Sequence, residues 1–292
     1  MSNKKIFFII NTNSGNSNTD WSSLIKDYFK SLDYTIELFY LSKDSNVQTI
    51  KEKIKAFSPQ IVVAVGGDGT VTLAAESILE QDITLGILPA GSANGMAKEL
   101  GISEAPLKAL EILVNGQLKK IHILKVNDHL CLHLSDIGIN AYAIKKFESE
   151  NKRGMWGYVK ASLKVLWQNP TMDVTIQLDD KTVRVKAEMI VVANATKYGS
   201  GVIINPVGNI SDELFEVVAI KKISLYEIFK MNFMQSSNNS EKIEIFQTKS
   251  LLMNSRKKVH FQVDGEYLGK VNKITASILP NALNIIVPSE TI

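Results

Sequence analysis

At 292 residues the chain is long enough for two domains with cores of their own, and 45% hydrophobic with 22% charged content excludes a disordered or fibrous class. A net charge of +3 is too small to point to nucleic acid, and no basic-aromatic RNA motif accompanies it. The single Cys131 excludes an internal disulfide and reads as a buried small hydrophobe; with His122, His129, His133 and His260 it forms no zinc spacing, so each imidazole is expected to be a satisfied structural one.

The chain enters a strand at once, at Ile6-Phe7-Phe8-Ile9-Ile10, with no signal-peptide core, and no apolar run approaches the ~18 residues that span a bilayer. A cytoplasmic protein is the expectation. A helix from Trp21 to Leu32, a strand from Thr35 to Leu41 and a helix from Val47 to Phe57 follow. Two apolar strand-like runs come next, Ile61-Val62-Val63-Ala64-Val65 and Leu85-Gly86-Ile87-Leu88. Such alternation predicts a doubly wound parallel sheet over residues 1–125. From 126 the pattern changes to short strands at Val126 to Leu134, Asp173 to Leu178, Val183 to Val192, Leu214 to Ala219, Lys242 to Thr248 and Val259 to Val263, which predicts an antiparallel β-sandwich over 126–280. No Pro/Gly/Ser-rich linker separates the halves, which points to a tight interdomain cleft.

Each of the two central strands runs into a glycine-rich turn that precedes a helical pattern: Gly66-Gly67-Asp68-Gly69-Thr70 and Pro89-Ala90-Gly91-Ser92-Ala93-Asn94-Gly95. Both turns should lie at the carboxyl edge of one sheet, where ligands of open α/β sheets bind, because glycine lets backbone N–H groups approach phosphate oxygens at a helix N-terminus. Asp68 either coordinates a nucleotide's metal ion or caps the helix that follows it. Asn94 bonds either a substrate or a turn carbonyl. No GxxxxGK[ST] tract is present, so the P-loop solution is excluded and the two glycine turns must serve in its place.

With these two turns the sequence resembles the diacylglycerol kinase catalytic-domain family, which includes bacterial soluble lipid kinases and sphingosine kinases and is related in fold to NAD kinases. Asn11-Thr12-Asn13-Ser14-Gly15 resembles its first-strand turn, with Thr12 where proline is usual. Asp136 to Ala141 resembles its central glycine motif, Asn194 to Pro206 with Tyr198-Gly199-Ser200-Gly201 its substrate-domain glycine cluster, and Asp264-Gly265-Glu266 its DGE triplet. The resemblance implies an active site in the interdomain cleft and a C-terminal tract, 281–292, that returns to the first domain.

Carried onto this chain, the resemblance places ATP on Asn11, Ser42, Gly66, Gly67, Asp68, Gly69, Thr70, Val71, Thr72 and Ser92. It makes the DGE triplet the source of the base for the acceptor hydroxyl and of support for magnesium, read here as Glu266 the base and Asp264 in support, with a plain acidic hairpin as the alternative, and Asp68 a third catalytic carboxylate. Gly265 permits a turn that aims both acids of the triplet into a cleft. Asp212 to Val217 resembles a DGxLxV tract that binds a second Mg²⁺ in bacterial relatives; the corresponding ligands are Asn209, Asp212 and Leu214, and Glu213 replaces the usual glycine.

A lipid substrate should leave a trace in the second half. Between Lys145 and Lys164 the basic residues Lys145, Lys146, Lys152, Arg153, Lys160 and Lys164 stand among Met155, Trp156, Tyr158 and Trp167, which suits transient docking to an anionic membrane surface or, equally, a core-facing amphipathic helix. The stretch Leu225 to Met234 either lines an acyl pocket or covers the sandwich. A homodimer is compatible with the resemblance. Three functions are open: an ATP-dependent lipid kinase acting on diacylglycerol, a sphingoid base or ceramide; an NAD kinase, against which PAGSANGMA replaces that family's second glycine tract; and a silent lipid- or nucleotide-binding protein, against which Asp68 and the DGE triplet are intact.

Overall fold

The computed structural model describes residues 4–15, 19–149, 171–198, 202–203, 205, 208–210, 212–222 and 242–289, of which 147–149, 197–198 and 202–203 are described by their backbone alone. The chain forms two compact units, Met1–Ile121 with Asn281–Ile292, and His122–Pro280. Leu225 to Met234, the tract from Lys152 to Lys164, Gly199-Ser200-Gly201 and Pro206 lie outside the described residues. Among the described residues no helix is long and apolar enough to cross a membrane.

In the first unit β1 (Lys4–Ile10), β2 (Tyr34–Tyr40), β3 (Ile61–Gly66) and β4 (Thr84–Pro89) pair in parallel in the order β2-β1-β3-β4. The end of a later strand, β16 (Glu266–Val287), adds beside β4 through Asn284↔Thr84 and Ile285↔Leu85. Parallel strands carry helices on both faces and must be apolar on both, and every residue from Ile6 to Ile10 and from Val62 to Val65 is at most 3% exposed. The helices are α1 (Trp21–Phe29), α2 (Val47–Phe57), α3 (Asp68–Ile78), α4 (Gly95–Glu99) and α5 (Pro106–Asn115). Local chemistry fixes where they begin: Asp20 accepts from the N–H groups of Ser22 and Ser23, Asn46 from that of Thr49, and Pro106 opens α5 without forfeiting a bond.

The strand β5 (Gln117–Val126) carries the chain into the second unit. There follow β6 (His129–Cys131), β7 (Leu134–Gly138), α6 (Ile139–Ser149), β8 (Met172–Leu178), β9 (Thr182–Ala187), β10 (Met189–Ala193), β11 (Lys197–Tyr198), β12 (Val202–Ile203), β13 (Phe215–Ile220), β14 (Ile243–Thr248) and β15 (Ser250–Val263). Pairing is antiparallel, in the order β14-β13-β10-β7-β15 on one side and β9-β8-β15 on the other. The strand β15 serves both sides because its register slips between Asn254 and Val259, a bulge that redirects the strand from β8 to β7. Val174, Ile176, Ile190, Val192, Phe215, Val217 and Phe261, none more than 2% exposed, fill the core between the sheets.

Two expected strands are broken. Val183 to Val192 is two strands, because the backbone of Glu188 leaves the ladder to donate to the Ile220 carbonyl (2.9 Å) and accept from the Ile139 N–H (3.1 Å). Val126 to Leu134 turns back at Asn127, φ 51°, so that Val126 faces His129. The motif at Asp136 to Ala141 is the end of β7 and the first turn of α6, where Asp136 accepts from the Ala141 N–H at 3.0 Å.

Asn194, 1% exposed, holds three segments of this unit together: its amide donates to the carbonyls of His122 (2.8 Å) and Leu132 (3.1 Å), and its backbone N–H to that of His133. Asn194→Ala would remove the amide donor from two buried carbonyls and should cost about 1–3 kcal/mol of unfolding free energy, read from a urea transition at constant m-value. A loss below ~0.5 kcal/mol would show that the side chain is not a structural tie.

Candidate active site

The first unit brings the carboxyl ends of β1, β3 and β4 together. Ala90 donates its N–H to the Gly66 carbonyl at 2.9 Å, and the two glycine turns touch backbone to backbone, since a Cβ at Gly91 would collide with the Cα of Gly67. Asn11 closes the third side: its N–H donates to the Val65 carbonyl, its Oδ1 accepts from the Asn13 N–H, and its Nδ2 reaches Thr70 Oγ1 at 3.4 Å. Gly15 packs on the Ala90 carbonyl, leaving no room for a side chain. Ser42 is exposed at the end of the neighbouring β2, engaged with Ser45 rather than with the glycine turns, and Ser92 is exposed on the second turn.

Asp68 ties the two turns to each other. It does not cap the helix it opens, which begins at Gly67 without a side-chain cap. Its Oδ2 accepts from the Gly95 N–H and its Oδ1 from the Met96 N–H, each at 3.0 Å, so the carboxylate neutralises the N-terminus of α4 instead. Asn94, at φ 51°, bonds its own turn through the N–H and carbonyl of Gly91 and also reaches Glu104 Oε1 at 2.8 Å; of its two readings the structure displays the turn contact.

These bonds decide which backbone donors remain for an anion. Thr70 and Val71 give their N–H groups to the Gly67 carbonyl, and both side chains are buried, so neither presents a donor outward. The first-turn N–H groups of Asp68 and Gly69 have no helical acceptor to reach. They point from a helix N-terminus beside a glycine-lined turn, which is the geometry that binds phosphate oxygens. Thr72 lies one turn on, half-buried.

In the second unit the DGE triplet forms the turn between β15 and β16, with Asp264 at φ 46° and Gly265 at φ 90°. This turn does not aim both acids the same way. The Asp264 carboxylate is enclosed and accepts three backbone N–H groups, from Leu132 (2.8 Å), His133 (3.0 Å) and Leu134 (3.0 Å). Enclosure pushes its pKa up, while those three donors and the nearby His133 pull it back. The Cys131 Sγ lies 3.6 Å away, and burial pushes that thiol well above the usual range, so it stays protonated and inert. Glu266, by contrast, is exposed. A carboxylate whose oxygens are spent on backbone donors anchors a loop; an exposed one is available to a substrate proton.

Around Asp212 the backbone N–H donates to the Asn209 carbonyl and Oδ1 accepts from the Leu214 N–H, both at 3.1 Å. Glu213, at the position where glycine is usual, leans outward onto Lys249 at 2.9 Å and leaves the turn closed. The donors of Asn209, Asp212 and Leu214 are all oxygens, one of them a carboxylate, which suits a hard divalent cation such as Mg²⁺. Among the described residues no group of three or more His, Cys, Asp or Glu gathers in a way that could hold a metal ion, in this tract or outside it.

One neighbour of the triplet was not singled out from sequence. Gln262, fully buried, accepts from the Gly265 N–H at 2.7 Å and donates to Asp136 Oδ2 at 2.5 Å, and Asp136 also receives Asn140. The triplet's turn is thereby tied to the start of α6. The signal was there in Val259-His260-Phe261-Gln262-Val263, whose alternation puts both polar residues on one face of a strand. The imidazoles are not all satisfied, since His133 Nε2 is buried without a hydrogen-bond partner among the described residues.

The family model described as the diacylglycerol kinase catalytic domain matches residues 5–126, and that described as the YegS C-terminal NAD kinase beta sandwich-like domain matches residues 136–287. An uncharacterized protein of Synechocystis is 27% identical, with 97% of this chain and 70% of that protein aligned. A Staphylococcus aureus protein named "Putative lipid kinase" is 25% identical over 82% of this chain and 81% of its own. A Bacillus anthracis crystal structure described as a diacylglycerol kinase superposes with a TM-score of 0.76 at 17% identity, covering 99% of this chain and 98% of that one, a likeness of fold. Spanning the glycine turns of the first unit and the sandwich of the second, these matches establish that the chain belongs to the diacylglycerol kinase catalytic-domain family, with a YegS-type C-terminal sandwich.

Proposed function

We propose that the protein is an ATP-dependent lipid kinase that transfers the γ-phosphoryl group to a lipid hydroxyl, with diacylglycerol as the acceptor. The observation that carries this reading is the Asp68 carboxylate joining the two glycine turns, because it fixes backbone donors at the carboxyl edge of a parallel sheet in a chain of the lipid-kinase family. Magnesium, when bound, supplies neutralisation of phosphate charge. The chain's own groups orient and move a proton. The N–H groups of Asp68 and Gly69 hold phosphate oxygens, and Glu266 takes the proton from the acceptor hydroxyl as its oxygen bonds to phosphorus and ADP leaves. Asp264 keeps the turn that carries Glu266 on the loop Leu132–Leu134. Asn209, Asp212 and the Leu214 carbonyl would hold a second cation that braces their turn.

Purified protein incubated with labelled ATP and, separately, diacylglycerol, sphingosine, ceramide and NAD should label diacylglycerol. Transfer to sphingosine or ceramide alone would move the reading to a sphingoid acceptor, and labelling of NAD alone would overturn it.

Glu266→Gln should lower kcat by about 10²–10⁴ while ATP affinity and the urea midpoint stay unchanged, because an amide keeps the size of this exposed side chain but cannot accept a proton. A near-wild-type kcat would remove Glu266 from the chemistry.

Asp68→Asn should act on both stability and rate. One of the two bonds at α4 is lost, costing about 1–3 kcal/mol, and turnover falls on the order of 10² or more. Retained turnover with weakened α4 would leave Asp68 a purely structural clamp.

A further inference from the structure

Glu266 stands between two residues that are both tied to α6. On its N-terminal side Gly265 sits at φ 90° with open space where a Cβ would stand, so packing does not fix this link of the turn. The bond from its N–H to Gln262 Oε1, at 2.7 Å, does. Gln262 is fully buried, and its Nε2 donates to Asp136 Oδ2 at 2.5 Å. Only one orientation of the amide serves both neighbours, since a carboxylate accepts and an N–H donates. Asp136 takes Asn140 Nδ2 on the same oxygen and the Ala141 N–H on the other, which carries the line into the first turn of α6.

On the C-terminal side the partner is Tyr267. His260 Nδ1 lies 2.8 Å from its hydroxyl, and the His260 ring stacks on Tyr142 of α6, with centroids 4.4 Å apart and planes at 18°. Lys145, one turn further along the helix, places Nζ 5.7 Å from the centre of the Tyr267 ring. Burial, then Lys270 and Lys145, bring the His260 pKa down to about 4, so the imidazole is neutral at physiological pH and its bond to Tyr267 does not titrate there. Gln262 pairs with Tyr267 in the β15–β16 register, and alternation along β15 puts His260 on the face that Gln262 occupies. Alternation along β16 puts Glu266 on the face opposite Tyr267, so a ring held on one side fixes the direction of the carboxylate on the other.

We propose that Gln262 and His260 are positioning residues, which together set the direction of Glu266 from α6. The inference rests on the reading of Glu266 as the base. A base must meet the acceptor hydroxyl within hydrogen-bond reach, and an error of about 1 Å costs on the order of 10²-fold in rate.

Gln262→Met keeps the volume of the side chain and removes both of its bonds. The Gly265 amide should exchange in heavy water at least ~10-fold faster in this variant than in the wild-type protein, a readout that needs neither nucleotide nor lipid. With diacylglycerol as acceptor, kcat should fall about 10–100-fold while KM for ATP stays unchanged. His260→Phe, which keeps a ring on Tyr142 and loses the bond to Tyr267, should lower kcat about 3–10-fold. In the Glu266→Gln background either substitution should change kcat less than ~2-fold, because a base that is absent cannot be misaimed. His260 is half-buried and phenylalanine fills its place, so this second cycle decides the matter even where Gln262→Met fails to fold. Equal fractional losses with and without Glu266 would make both residues merely structural and overturn the proposal, as would wild-type exchange at Gly265 in Gln262→Met. Faster Gly265 exchange in a protein that phosphorylates no lipid supports the hold of Gln262 on the turn and sinks the kinase reading alone.

Discussion

A carboxylate turned inward onto backbone N–H groups is the interaction on which this structure depends. Asp68 receives Gly95 and Met96, Asp264 receives Leu132, His133 and Leu134, and Asp136 receives Ala141. Each acceptor lies remote in sequence or across a turn from its donors, so each bond fixes a loop that side-chain packing alone would leave free. Such bonds are short and strong because the acceptor is charged and the donors have no competing water. The cost is paid in desolvation, visible in the upward push on Asp264.

The two units apply this device to opposite ends. In the first, the clamp leaves donors facing outward: once Asp68 has satisfied α4, the open N–H groups are those at the start of α3. In the second, the clamp leaves an acid facing outward: once Asp264 is turned in, Glu266 is the member of the triplet that meets solvent. Under the proposed kinase reading, donors for phosphate and an acceptor for a proton would both come from one chemical motif used with opposite polarity.

The parallel sheet was legible because strands buried on both faces are continuous apolar runs, as in Ile6 to Ile10 and Val62 to Val65, and glycine turns punctuate them. The sandwich was legible in kind and less so in detail. Glu188 sits within an apolar run, and nothing local tells that its backbone leaves the ladder to serve Ile139 and Ile220. The 22-residue β16 carries Lys, Asn and Gly among its apolar residues and reads as a strand chiefly where its end enters the first unit. The DGE triplet was legible as a turn, because Asp-Gly accommodates positive φ. Which acid faces inward was not, since that depends on the loop from Cys131 to Leu134 coming to meet it from over 130 residues away. Gln262 and Asn194 were missed for the same reason, as buried amides reveal themselves by partners distant in sequence.

The strand β16 has a consequence for biosynthesis. It begins in the second unit and ends as the strand beside β4 in the first. Until the ribosome has delivered residues 284 and 285, β4 presents an unpaired edge, and the sheet that carries the glycine turns is one strand short. The first unit is therefore translated early and completed late. A nascent chain stalled within β15 would expose a hydrophobic sheet edge of the kind that chaperones bind, and the pair of glycine turns would reach its final setting only after the sandwich has been made.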